Sequence, residues 1–130
     1  MLRAYAYVDG SDLDEIGDQL AEVFANFLPT WGISSARLVN DKSPRTPDLH
    51  GDDLPDWNLG LNFETERLSL AEFNQLILFL SRTAEQTQRE FVIGGYGPSS
   101  RFAEDWGYIG THVERPELQS LQDILVGPQR

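Results

Sequence analysis

Residues 57–80, WNLGLNFETERLSLAEFNQLILFL, change their hydrophobic period midway, and that change decides the fold class. Trp57, Leu59, Leu61 and Phe63 alternate with Asn58, Gly60, Asn62 and Glu64, the two-residue period of a strand with one face in a core. After Ser69 the apolar residues fall at Leu70, Phe73, Leu76, Ile77 and Leu80, the stripe of an amphipathic helix. Ser69 and Glu72, three residues apart, form the capping box that opens it. Leu78 and Phe79 fall off the stripe, so either another element covers them or they meet a partner. Internal cover is expected in a one-domain chain, and a homodimer through Leu78 and Phe79 is the alternative.

Working upstream, Leu2 to Val8 alternates Leu2, Ala4, Ala6 and Val8 against Arg3, Tyr5 and Tyr7, a strand whose small alanines let a helix lie close. Asp9-Gly10 turns the chain into residues 11–28, SDLDEIGDQLAEVFANFL. There Leu13, Ile16, Gly17, Leu20, Val23, Phe24, Phe27 and Leu28 share one helical arc, and Asp14, Glu15, Asp18 and Glu22 share the opposite one. Ser11 with Asp14 makes a weak capping box, and Pro29 and Gly32 close the helix. Ile33 to Val39 reads as a second strand. Residues 40–56 follow as a long polar loop with Asp41, Asp48, Asp52, Asp53 and Asp56.

Downstream, Glu90 to Tyr96 reads as a strand running into Gly94, Gly95 and Gly97, and a last strand is expected near Trp106 to Val113. Pro116 suits the first turn of a short helix with Leu118, Leu121, Ile124 and Leu125. The element order is thus β-α-β-β-α-β followed by β-α. It predicts an α+β fold: a ferredoxin-like split β-α-β sheet with helices on one face, plus an extra C-terminal strand and short helix. Tyr5, Tyr7, Arg37, Tyr96, Tyr108 and His112 are the candidates for the other, open face.

The 130 residues suit one domain, 1–130, because two cores would each be too small to bury enough apolar surface. The absence of cysteine excludes disulfides, thiolate nucleophiles and cysteine-ligated metals. No leader-like N-terminal pattern or membrane-length apolar run is present, so a cytoplasmic protein is expected. The net charge of −11 is uneven: residues 1–66 hold thirteen acids against four bases, and residues 67–130 hold eight against six. Such a surface repels nucleic acid and anionic lipid and attracts cationic partners.

Motifs for chemistry fail in their details. A calcium loop begun at Asp12 has Ile16 and Val23 where oxygen ligands are required. His112-Val113-Glu114 matches part of a zinc deaminase signature whose further cysteine ligands cannot exist here. Tyr108-Ile109-Gly110 matches half of a nuclease motif and lacks its upstream tripeptide. Gly94-Gly95-Tyr96-Gly97 follows a strand without a helix or Walker lysine after it, so a turn or bulge is its expected use. No cofactor, metal or catalytic residue is expected.

What remains is acidic surface. Asp14, Asp18 and Glu22 repeat like charges at i,i+4, which destabilises an isolated helix by roughly 0.2–0.5 kcal/mol per pair. Asp18 and Glu22 are placed beyond the first turn, where the helix dipole no longer compensates. By size, acidity and lack of a catalytic motif, the chain resembles bacterial toxin-immunity proteins. That resemblance implies a non-enzymatic inhibitor that neutralises a basic toxin or enzyme by covering it. Asp14, Glu15, Asp18, Glu22, Asp48, Asp52, Asp53 and Asp56 are the candidate partner-binding residues. The alternatives are a small-molecule-binding module or small enzyme using the open sheet face, and a structural subunit of a larger assembly.

Overall fold

The structure, a computed structural model, describes residues 2–9, 16–42, 57–96 and 104–127. Its elements are β1 (Leu2–Val8), α1 (Gly17–Trp31), β2 (Arg37–Lys42), β3 (Trp57–Thr65), α2 (Leu70–Thr87), β4 (Phe91–Tyr96), β5 (Glu104–Ile109) and α3 (Arg115–Leu125). The fold is α+β. The five strands form one open sheet in the order β2-β3-β1-β4-β5, every neighbouring pair antiparallel.

The alternation in β1 sorts the two faces of this sheet. Ala4, Ala6 and Val8 are buried, together with Leu59, Leu61 and Phe63 of β3 and Phe91, Ile93 and Ile109 of β4 and β5. They form one cluster with Leu20, Phe24 and Trp31 of α1, Phe73, Leu76, Leu80 and Ala84 of α2, and Leu121 and Leu125 of α3. Aromatic packing joins the first two helices: Phe27 stacks on Phe79 with centroids 4.0 Å apart, and Phe24 meets Phe79 edge-on at 5.3 Å. Phe79, off the sequence stripe of its helix, is thus covered within the chain, while Leu78 is 51% exposed. Trp31 donates its indole N–H to the Glu72 carbonyl at 2.8 Å and packs edge-on against Phe63, tying the end of α1 to the start of α2.

The capping box of α2 is formed in both directions. The Glu72 amide donates to the Ser69 hydroxyl at 3.1 Å, and the Ser69 amide donates to the Glu72 carboxylate at 2.8 Å. Leu70, expected in the inward stripe, is instead exposed in the opening turn.

Other boundaries move for identifiable reasons. The first helix begins at Gly17 with Ile16 as its N-cap, and the Ser11–Asp14 box lies outside the described residues. Pro29 sits inside the last turn rather than ending it, and termination falls to Gly32, whose φ of +79° is the left-handed conformation glycine adopts freely. The second strand starts at Arg37, not Ile33. Its approach is a turn in which the Ala36 amide donates to the Ile33 carbonyl, and the Ser35 hydroxyl bonds both the amide and the carbonyl of Glu64. A side chain there takes the place of a ladder partner. The last strand stops at Ile109 because Ile109 pairs with Phe91, the first residue of β4, and no strand residue lies beyond it to pair with.

Replacing Ser69 with Ala removes one half of the α2 capping box and is expected to cost about 1 kcal/mol. A denaturant melt checks this as a lower midpoint at unchanged m-value.

Candidate functional site

The sheet face opposite the helices carries the chain's tyrosines in an ordered array. Strand register places Val39, Gly60, Tyr7, Val92 and Tyr108 in one row across it, and Arg37, Asn62, Tyr5, Gly94 and Asp105 in the next. Glu64, Arg3 and Tyr96 form a third. Among the described elements no helix covers this face. Tyr96 is 41% and Tyr108 38% exposed, while Val92, between Tyr7 and Tyr108, is nearly buried.

Hydrogen bonds brace the rings. Tyr5 and Tyr7 stack with centroids 4.8 Å apart and planes 15° from parallel. Their hydroxyls diverge: Tyr7 donates to the Asn62 side-chain oxygen at 2.6 Å, and Tyr5 donates to one Asp105 oxygen at 2.5 Å. Tyr108 donates to the other Asp105 oxygen at 3.2 Å. Arg3 reaches its cross-strand neighbour Glu64 at 3.8 Å, an exposed pair of little energetic weight.

Two backbone features make the Tyr5–Asp105–Tyr108 bridge possible. Gly94 stands between Tyr5 and Asp105 in the register, and a Cβ there would run into the Tyr5 phenol and the Glu104 carbonyl; Tyr5 crosses β4 over the space glycine leaves. A β-bulge then shifts the register between Ile93 and Gly94, so that Ile93 opposes Gly107 while Gly94 opposes Asp105. The extra residue, Trp106, turns toward the core with Gly107, which lies against Leu121. Asp105 and Tyr108, three residues apart, therefore share the open face, which a regular strand forbids. At the outer edge the Tyr108 amide donates to the Glu117 carboxylate of α3 at 2.8 Å, occupying an edge donor that would otherwise be open to a foreign strand.

The carboxylates also set the tyrosine chemistry. Burial, reinforced by the hydrogen bond to Asp105 and its charge, pushes the Tyr5 phenol well above its ordinary value of 10.0. The Tyr108 phenol is raised as well, first by the Asp105 charge and its hydrogen bond, with smaller contributions from Asp9 and Glu90. Asp9 and Glu90 meet at the end of β1 and β4, where the Asp9 amide donates to the Glu90 carbonyl at 2.7 Å.

Of the residues picked from sequence for this face, register unites Tyr5, Tyr7, Arg37, Tyr96 and Tyr108 on it. His112 is not there: it lies in a bend past the end of β5, highly exposed and 3.4 Å from Glu114. Asp105 and Asn62 are not among those picked, and Gly94 is singled out in the sequence only as a turn or bulge glycine, with the bulge indeed falling between Ile93 and Gly94. Asp105 is hidden from pattern reading by the bulge, since alternation alone puts it on the face opposite Tyr108.

The acidic residues picked for partner binding divide differently. Asp18 and Glu22 are exposed on α1. Asp14, Glu15, Asp48, Asp52, Asp53 and Asp56 lie outside the described residues. The placement of Asp18 beyond the reach of the helix dipole is corrected, because a helix starting at Gly17 has Asp18 in its first turn, where exposed N–H groups favour an acid. Glu22 alone keeps the original argument. Among the described residues no group of three or more His, Asp or Glu is placed to hold a metal ion, and no helix is long and apolar enough to cross a membrane.

No protein-family model, curated protein or solved structure matches this chain.

Raised phenol values imply a definite alkaline behaviour. A group held protonated in the fold contributes stability that is complete below its unfolded value and lost as pH rises through the folded one. Stability is therefore expected to fall above pH 10, less steeply in Tyr5→Phe. In a phenolate absorbance titration, Tyr5 and Tyr108 ionise after an ordinary tyrosine. Asp105→Asn should return Tyr108 toward its ordinary value and leave Tyr5 still raised by burial; ionisation of Tyr5 and Tyr108 in the unsubstituted chain at the ordinary tyrosine value would contradict this. Gly94→Ala should break the Tyr5–Asp105 bond and destabilise by about 1–3 kcal/mol, read as a lower melting midpoint.

Proposed function

We propose that this chain is a non-enzymatic, acidic binding protein of the immunity or inhibitor kind, which neutralises a basic toxin or enzyme by direct binding. The observation that carries the reading is the sheet face that no described helix covers, with its hydrogen-bonded tyrosines, on a chain of net charge −11. Tyrosine offers large amphipathic contact area with few rotatable bonds, and rings already braced lose little further freedom on binding. The chain's negative field speeds encounter with a cationic partner and disfavours acidic ones. Asp18 and Glu22, at the start of α1, act in this proposal as steering charges. The proposal includes Asp14, Glu15, Asp48, Asp52, Asp53 and Asp56 in the same role and places the encounter in the cytoplasm.

The strand order supports a ferredoxin-like description of the scaffold. β3 lies between β1 and β2, β1 lies between β3 and β4, and β5 with α3 extends the β4 edge. On such a scaffold the helices supply rigidity and the sheet face supplies a flat, pre-formed surface.

Affinity capture on the immobilised chain from native extract, washed at low and then moderate salt, tests the reading when the captured protein is purified and assayed. A basic protein whose own activity falls at stoichiometric addition of the chain is the expected result. A captured protein whose activity is untouched, or a small molecule that raises the melting temperature with no protein partner, overturns it. With that partner in hand, Asp18→Lys/Glu22→Lys should slow association several-fold at low salt and leave the far-UV spectrum unchanged. Unaltered kinetics remove α1 from the steering surface.

A further inference from the structure

Resting on the binding-protein reading, we propose that the open sheet face docks its partner by receiving an arginine side chain over the Tyr7–Val92–Tyr108 row, with Asp105 accepting its guanidinium.

The occupant follows from what this part of the face offers. Cross-strand register places Tyr7 and Tyr108 on either side of Val92, two strand spacings or about 10 Å apart, so an apolar floor is flanked by two phenol rings. Val92 itself is buried to 8% exposure and stands outside the core cluster, so the surface this row offers is that of the Tyr7 and Tyr108 rings over it. Such a surface favours a flat, delocalised group with an apolar stem. A guanidinium stacks on aromatic faces and is weakly hydrated for a cation, whereas an ammonium is a compact, strongly hydrated charge.

Charge supplies the second argument. Arg3, the basic residue of β1, is already beside Glu64 in the third row. Among the described residues, the charged neighbours that act on Tyr108 are carboxylates: Asp105 on the same strand, with Asp9 and Glu90 at the adjoining ends of β1 and β4. Each Asp105 oxygen accepts one phenol hydrogen bond, from Tyr5 and Tyr108 respectively. A carboxylate has about four acceptor positions, so among the described residues one remains on each oxygen. Two parallel acceptors fixed by two tyrosines are the complement of the two-pronged donor edge of a guanidinium. Because the phenols already hold the carboxylate in place, the incoming side chain need not order it.

This assigns distinct work to the two acidic regions. The exposed acids of α1 act at a distance, on the rate of encounter; the sheet face acts on contact, and selects arginine over lysine.

The test uses end-blocked triarginine, trilysine and tricitrulline peptides, titrated at about 0.15 M salt into the full chain and followed through backbone amide shifts. Triarginine is expected to shift amides of β1, β4 and β5 and to bind more tightly than trilysine, with tricitrulline, its neutral near-isostere, inert. Tyr108→Leu, which leaves the charge unchanged, and Asp105→Asn should each weaken triarginine by about two- to fivefold. Glu85→Gln on the exposed side of α2 matches the charge change of Asp105→Asn and should leave binding as it is. Far-UV spectra and melting curves establish that each variant is folded, and Tyr108→Phe, which keeps the ring, should retain more binding than Tyr108→Leu. Shifts centred on α1, equal weakening by Glu85→Gln, equal affinity for trilysine, or no shifts at millimolar peptide would each overturn the proposal. The inhibitor reading stands or falls separately, on whether a captured basic protein loses its activity.

Discussion

Strand β1 is hydrogen-bonded along both edges, to β3 on one side and β4 on the other, and the rest of the structure depends on how its side chains divide. Ala4, Ala6 and Val8 go beneath the helices, while Arg3, Tyr5 and Tyr7 go to the opposite face. With small residues on the inner side of the central strand, bulky groups can come from elsewhere: Phe24 and Trp31 from α1, Phe63 from β3, and Phe91 from β4. A one-residue slip of β1 would exchange the alanines for tyrosines in the core and leave their hydroxyls in an apolar interior. The register of the whole sheet is thereby tied to seven residues.

The same alternation gives the open face its character. Two tyrosines one step apart on one side of a strand project in parallel and stack, and once stacked their hydroxyls must find partners on different neighbours. Tyr7 finds Asn62 on β3, the strand next to it. Tyr5 reaches across β4 to β5, and only glycine at position 94 leaves it room. The bulge opposite that glycine delivers Asp105. Gly94, Tyr5, Asp105 and the bulge are therefore one device, in which the absence of a side chain on one strand and an extra residue on the next combine to set a carboxylate between two phenols.

The acidic helix has a smaller role than its charge pattern suggests. Beginning the helix at Gly17 brings Asp18 under the N-terminal dipole, and the like-charge pair along the described helix is Asp18 with Glu22. At roughly 0.2–0.5 kcal/mol that single pair needs no compensation from a partner. Long-range steering needs none of the close geometry that the sheet face possesses, so the same residues can serve the rate of encounter without forming the contact.

How much of this was legible in the sequence depended on how local the determining interaction was. Element order, the β1 and β3 strands, the α2 capping box and the α3 proline were readable because each rests on a period or a contact within a few residues. So was the placement of Tyr5 and Tyr7 on the outer face, since alternation in β1 is regular. Features set between distant segments were not. Ser35 replacing a ladder partner of Glu64 delays β2, the first residue of β4 decides where β5 stops, and Phe79 is half-buried against Phe27 from another helix. Asp105 joins Tyr5 across exactly the kind of register shift that alternation cannot encode, with a hundred residues of chain between the two. The sequence by itself determined which residues belong to strands and helices and which sides of them are apolar, because those depend on spacing along the chain. Only the tertiary structure decided which polar groups meet on the open face, because that depends on strand order, a bulge and the space above one glycine.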